Sequence, residues 1–375
     1  STMEEVSNVF INEDKLEVSF ESEADDLLPA NGIALGSGLP INSAVIVGAI
    51  RRFVDAYLAE NLKFNAGMAL LRRELPCVAG IPSGSALLHE SESLLVGTLR
   101  VVSQLDESYL FIQGPPGAGK TFTGSHVIVD LLKAGKTVGV TSNSHKAINN
   151  LLEGVEKVAA KQGFSFRGAK KSTSEASFLN GQFIEDITAS QAITRKLTDY
   201  QLVAGTAWLF SSKSVEQKFD YLFVDEAGQV SLANLVAMST CAKNLVLLGD
   251  QMQLGQPIQG VHPGESGQST LDYLLQGEAT ISPERGVFLK DTWRMHPDVC
   301  RFISEAVYGG RLEPEPRNAA QLLLLSSDSH EELRATGVRF LPVEHEGCSQ
   351  RCDVEAQVIR AIFGDLLRQR YVDRQ

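Results

Sequence analysis

The octapeptide Gly114-Pro115-Pro116-Gly117-Ala118-Gly119-Lys120-Thr121 narrows the choice of folds more than any other stretch of this chain. It fits G-x-x-x-x-G-K-[ST], the phosphate-binding loop. Its glycines let the backbone turn tightly enough to aim N–H groups at a phosphate chain. Lys120 supplies a point charge for the outer phosphates, and the Thr121 hydroxyl is a natural ligand for Mg2+. The flanks suit such a loop. Apolar Tyr109-Leu110-Phe111-Ile112 predicts a buried strand entering it, and Gly119 to Ala134 predicts a helix leaving it, with Val127, Ile128, Leu131 and Leu132 on one face and Gly135 as its stop. A nucleotide's phosphates then sit at a helix N-terminus, where free N–H groups and the helix dipole favour an anion.

Around this unit short apolar runs alternate with helical stretches: Leu110–Ile112, Thr137–Val140, Leu202–Ala204, Tyr221–Val224 and Leu245–Leu248. The alternation predicts an α/β fold, a mostly parallel sheet covered on both faces, with ligands gathered at the carboxyl ends of its strands. The polar residues fall at those ends. Tyr221–Val224 runs into Asp225-Glu226, which places Asp225 to hold Mg2+ beside Thr121 and Glu226 to orient and deprotonate an attacking water. Leu245–Leu248 runs into Gly249-Asp250-Gln251-Met252-Gln253, where the Gln253 amide is a candidate sensor of the terminal phosphate.

Other stretches are less specific. Thr141-Ser142-Asn143-Ser144-His145 carries small polar groups at a helix start, which suits a phosphodiester backbone. Lys157, Lys161, Arg167, Lys170 and Lys171, interleaved with Phe164 and Phe166, have the composition of a single-strand binder. The same residues also fit a solvated face over two core phenylalanines. Gln256 to Gln268, rich in Gly and Pro, reads as a long loop or hinge. His345, Cys348 and Cys352 lie close in sequence, but their spacing is not a zinc pattern and a fourth ligand is missing. A helix is expected from Val354 to Leu367, its core face made of Val358, Ile359, Ile362, Phe363, Leu366 and Leu367, with no strand after it. A sheet domain that stops on a helix looks unfinished, which marks the chain as a fragment.

At 375 residues the chain is long for one domain, and boundaries are expected near residues 90 and 278. Residues 1–90 read as a small accessory domain. It opens with a hairpin around Asn12-Glu13-Asp14 and continues with a helix bearing Ile46, Ile50, Phe53, Val54, Tyr57 and Leu58. The net charge of -12 argues against coating nucleic acid through bulk charge, though not against a local basic groove. No apolar run is long enough for a membrane helix, and the five cysteines fit a reduced, cytoplasmic setting.

Taken together, several segments resemble a type B superfamily 1 helicase, the group of the nonsense-mediated decay helicase and the nuclease–helicase of Okazaki fragment processing. They are QGPPGAGKTFT from Gln113, TSNSHKAINNLL from Thr141, AGTA from Ala204, FVDEAGQ from Phe223, GDQMQL from Gly249 and TWRMHPDVCRFISEAVYGGRL from Thr292. The order and spacing agree over residues 92–375, and the wording is most similar to prokaryotic members fused to a RecB-like nuclease. The resemblance implies two RecA-like domains closing on ATP, the first over residues 91–278 with a basic segment inserted at about 155–195, the second begun by residues 279–375. It implies movement, 5'-to-3', along single-stranded DNA or RNA. It assigns Gly114 to Phe122 and Trp293 to ATP, with Trp293 as the adenine-stacking ring where the family has Tyr. It makes Arg294 an arginine finger and sets strand contacts at Ser142, Asn143 and Thr206. Thr98 stands where the family has its adenine-reading Gln, and the late motifs lie beyond Gln375. A chain of this kind is expected to bind ATP and Mg2+ and to turn ATP over weakly on its own; the competing reading is a nucleotide-binding interaction module without efficient turnover.

Overall fold

The computed structural model describes residues 6–12, 17–22, 42–253, 255, 263–349 and 351–373. It forms two compact units, residues 1–44 and 45–375. In the first, β1 (Val6–Asn12) pairs antiparallel with β2 (Glu17–Ser22), the expected hairpin; its turn lies outside the described residues.

The larger unit runs α1 (Ala44–Leu58), α2 (Asn65–Leu71), α3 (Leu94–Ser103), β3 (Tyr109–Gln113), α4 (Lys120–Lys133), β4 (Val138–Thr141), α5 (His145–Lys161), β5 (Gly168–Lys171), β6 (Ile184–Ile187), α6 (Ser190–Arg195), β7 (Leu202–Ala204), α7 (Ala207–Phe210), β8 (Phe219–Val224), α8 (Leu232–Ser239), β9 (Ala242–Gly249), α9 (Thr270–Leu275), β10 (Gly286–Phe288), β11 (Asp291–Thr292), α10 (Pro297–Val307), β12 (Glu313–Pro314), β13 (Leu322–Leu324), α11 (Asp353–Leu366) and β14 (Arg370–Val372). Eight strands make one all-parallel sheet in the order β10-β3-β9-β8-β4-β7-β5-β6. This is the predicted α/β fold, a parallel sheet of the P-loop type.

Period-two alternation along each strand builds a core on both sheet faces. Tyr109 and Phe111 of β3, Leu222 and Val224 of β8, and Leu245 and Leu247 of β9 pack with Ile46, Ala49, Ala66 and Leu70 of α1 and α2 and with Leu235 and Met238 of α8. Leu110, Ile112, Tyr221, Phe223, Val246 and Leu248 point the other way, into Val101, Val127, Ile128, Leu131, Ile148 and Leu151 of α3, α4 and α5. Residues 45–90 thus share the core of the sheet, and the compact units divide at residue 44, whereas the sequence reading divides the chain near 90 and 278. On α1, Val54, Tyr57 and Leu58 of the expected apolar face are exposed.

Two further differences have local causes. The basic segment supplies β5 and β6, the far edge of the sheet, so Phe166 is buried against Phe183 and Lys170 has a side chain with no exposed surface. The Lys170 ammonium reaches the Ser172 Oγ at 2.7 Å and the Asp186 carboxylate at 3.7 Å, and Lys157 pairs with Glu153. Lys157, Lys161 and Arg167 are exposed, as a solvated face would have them, but buried Lys170 fits neither reading. At the end of the chain a strand does follow the helix: β14 pairs antiparallel with β13. Of the helix's expected core face, Ile359, Phe363 and Leu367 are exposed, while Val358, Ile362 and Leu366 are half-buried. No helix among the described residues is long and apolar enough to cross a membrane.

Candidate nucleotide site

Strand register brings the polar residues to one rim. Gln113 lies level with Gly249 across β3 and β9, and Thr141 with Val224 across β4 and β8. The next residue of each strand, Gly114, Asp250, Ser142 and Asp225, therefore emerges at the same edge of the sheet. β3 and β4 are sequential strands separated in the sheet by β9 and β8, and the loop after β3 opens at this change of order, where open α/β sheets bind ligands.

The phosphate loop is built for close approach. Gly117 and Gly119 hold φ of 78° and 86°, the left-handed region where only glycine is unstrained. Gly119 is the N-cap of α4 and offers no side-chain cap, so the first N–H groups of that helix face outward for an anion. Lys120 donates its ammonium to the Gly114 carbonyl at 2.8 Å, folded across the loop it serves. A cleft of about 660 Å³ opens over this loop, lined by Pro115 to Thr121 and by Glu226, Gln253, Trp293, Arg294, Gln321, Tyr371 and Asp373. Gly114 sits behind the loop, its N–H donated to Gly249. Phe122 does not line the cleft; its ring lies tilted against that of His126, centroids 4.2 Å apart.

Residues far apart in sequence meet here through direct bonds. The Trp293 N–H donates to the Gly117 carbonyl at 2.9 Å, and the Thr292 hydroxyl donates to the Pro116 carbonyl at 3.2 Å. A Cβ on Gly117 would lie 2.5 Å from the Arg294 Cβ, so the absence of a side chain there is what lets the segment carrying Arg294 close on the loop.

The two acids differ in environment. Asp225 is 6% exposed; burial first, then the adjacent Glu226 charge, push its carboxyl from its ordinary 3.8 to about 7, against the opposing pull of Lys120. Glu226 lines the cleft and is held at φ 51°, ψ 45°, a left-handed conformation that costs a non-glycine residue about 1–3 kcal/mol and is found at functional sites. Behind them Asp250 is buried and accepts a 2.6 Å hydrogen bond from the Tyr308 hydroxyl.

The donor set suits a magnesium nucleotide. Outward N–H groups and Lys120 match phosphate oxygens, and Thr121 with Asp225 matches a hard divalent cation whose charge would relieve the repulsion between Asp225 and Glu226.

The strand-contact candidates lie apart from the residues lining this cleft. Ser142 is 3% exposed, and its Oγ has no hydrogen-bond partner among the described residues. Asn143 donates to the Gln229 carbonyl, and Thr206 is the N-cap of α7. Thr98 is buried and returns its hydroxyl to the Leu94 carbonyl at 2.7 Å, so it does not reach a base. The sequence reading missed Gln321, Tyr371 and Asp373. Gln321 immediately precedes β13, while Tyr371 lies in β14, a three-residue strand with no apolar run to mark it, and Asp373 follows that strand.

Comparison with known proteins extends this picture. Residues 98–271, just under half of the chain, match a family model described as AAA domain. The chain is 29% identical over 228 residues to the DNA replication ATP-dependent helicase/nuclease dna2 of Schizosaccharomyces pombe, covering 60% of this chain and 16% of that protein. It is 25% identical over 278 residues to the regulator of nonsense transcripts 1 homolog of Drosophila melanogaster, covering 61% of this chain and 23% of that protein. The chain thus spans less than a quarter of the length of these relatives. Among solved structures, an arterivirus nonstructural protein 10 (helicase) with DNA overlaps 56% of this chain and 41% of its own, at 18% identity and a TM-score of 0.37. Over 60% of its length the chain is thus similar to a protein named as an ATP-dependent helicase/nuclease.

Proposed function

We propose that this chain is an ATP-dependent helicase or translocase of type B that hydrolyses ATP to move along single-stranded DNA or RNA, 5'-to-3'. One observation carries the reading: Lys120, Thr121, Glu226, Gln253 and Arg294, from four separate segments, line a single cleft. In this scheme the loop N–H groups and Lys120 hold the outer phosphates. Thr121 and Asp225 would hold Mg2+, which when bound neutralises charge on the phosphate oxygens. Glu226 orients a water and takes its proton. Gln253 touches the terminal phosphate, and Arg294 stabilises charge that develops in the transition state. Trp293, nearly half exposed at the cleft, offers a face for the adenine. The second RecA-like lobe, expected over residues 279–375, begins in this reading only after β10 has joined the first sheet, and it brings Arg294 to the first lobe. Asn143 and Thr206 at the ends of β4 and β7 carry strand contacts, and a nuclease partner or domain accompanies the helicase.

The test is the steady-state rate of ATP hydrolysis with and without single-stranded DNA and RNA, in the parent chain and in Lys120→Ala. Hydrolysis stimulated by an oligonucleotide and lost in Lys120→Ala supports the proposal. ATP binding that depends on Lys120, with no turnover and no response to either oligonucleotide, would replace it with a nucleotide-dependent interaction module.

A further inference from the structure

Far from the loop in sequence, a second group of ligating side chains comes together. Residues 341–349 carry no regular structure and lead to Cys352, the N-cap of α11. Across this junction one ring nitrogen of His345 and the sulfurs of Cys348 and Cys352 all lie within 4.8 Å of one another. The His345 Nε2 is 3.1 Å from the Glu355 carboxylate, one turn into the helix. We infer that His345, Cys348 and Cys352 bind a thiophilic divalent cation of the zinc class, with Glu355 orienting the imidazole.

Geometry and chemistry agree. Ligand atoms about 2.0–2.3 Å from a tetrahedral zinc stand about 3.5–3.8 Å apart, so the three need only draw in by about 1 Å, and residues 341–349 are free of strand or helix ladders that would resist it. Two thiolates and an imidazole favour zinc over the hard Mg2+ of the nucleotide site. A carboxylate bonded to one ring nitrogen of His345 fixes the tautomer and leaves the other nitrogen's lone pair for the metal, an arrangement that recurs at zinc sites. Glu355 lies beside the imidazole and Asp353 close enough to act on the Cys348 sulfur, so both add negative charge that attracts a cation. Three protein ligands leave a fourth position for water. Bound there, the ion would fasten the irregular segment to the start of α11.

The experiment uses the full chain with a phosphine reductant present, which keeps the thiols reduced. Zn2+ is titrated in competition with a chromogenic chelator, and Co2+ is added separately as a spectroscopic substitute. One equivalent of Zn2+ per chain and a thiolate-to-cobalt charge-transfer band, both lost in the double variant Cys348→Ser/Cys352→Ser and retained in Cys77→Ser, are the expected results. Glu355→Gln weakens binding about 10–100-fold without removing it. Zinc uptake no greater than that of the double variant, or a cobalt spectrum without the thiolate band, overturns the inference. So does finding that the two cysteines form a disulfide when the reductant is removed yet bind no zinc when it is present. Unchanged melting temperatures of the metal-free variants show that fold loss is not the cause.

Discussion

Asp225 offers the sharpest test of the site's electrostatics. Its carboxyl titrates near 7 in the folded chain and near 3.8 when unfolded, because it is buried beside Glu226. The sign follows from linkage. A carboxyl raised on folding binds more protons in the folded state, so its contribution to stability is fully present below about pH 4. That contribution is lost as pH rises through about 7. The full span corresponds to at most about 4 kcal/mol, and each pH unit between the two values to about 1.4 kcal/mol. The perturbation is Asp225→Asn, which keeps the shape and removes the titration. Urea unfolding of both chains without nucleotide or divalent cation gives a difference, parent minus variant, at each pH. That difference should fall by about 2–3 kcal/mol between pH 5 and pH 8, leaving Asp225→Asn the more stable chain at pH 8. Adding Mg2+ and ATP at pH 8 should then favour the parent. A difference flat to within about 0.5 kcal/mol across that range would mean that the carboxylate is solvated, and the argument from burial would fail.

Other outcomes follow from the same geometry. Arg294→Ala should lower kcat by about three to five powers of ten while leaving ATP affinity nearly unchanged, read from steady-state kinetics beside nucleotide titration. Gly117→Ala places a side chain in the left-handed region and 2.5 Å from Arg294, so it should cost about 1–3 kcal/mol in denaturant unfolding and remove ATP binding; unimpaired binding would refute the close packing. Tyr308→Phe leaves buried Asp250 without its 2.6 Å donor and should destabilise the chain by about 1–3 kcal/mol in the same assay, with ATP affinity falling less than in Lys120→Ala.

The sheet and the phosphate loop were legible because both rest on local rules. Period-two alternation of Tyr109 to Ile112 gives a two-faced strand, and the glycines at 117 and 119 mark the positive φ angles that were found. The pair Asp225-Glu226 was readable from the apolar strand before it. β5 and β6 were not, since Gly168-Ala169-Lys170-Lys171 has no apolar signature. Its burial depends on Asp186, which arrives from the neighbouring strand to meet the Lys170 ammonium. The apolar face expected of α11 failed for the opposite reason: periodicity states which side chains share a face, but not whether another element covers them. Nor could spacing reveal that His345, Cys348 and Cys352 converge, because a turn into a helix sets that distance.

The two hydrogen bonds from Thr292 and Trp293 to the carbonyls of Pro116 and Gly117 make the phosphate loop and the guanidinium-bearing segment one latch. A load that pulls residues 291–297 away must first unhook the loop itself. By reciprocity, a ligand that stiffens the loop resists that pull by the same free energy. Tension on the far part of the chain would then be measurable as a change in nucleotide affinity.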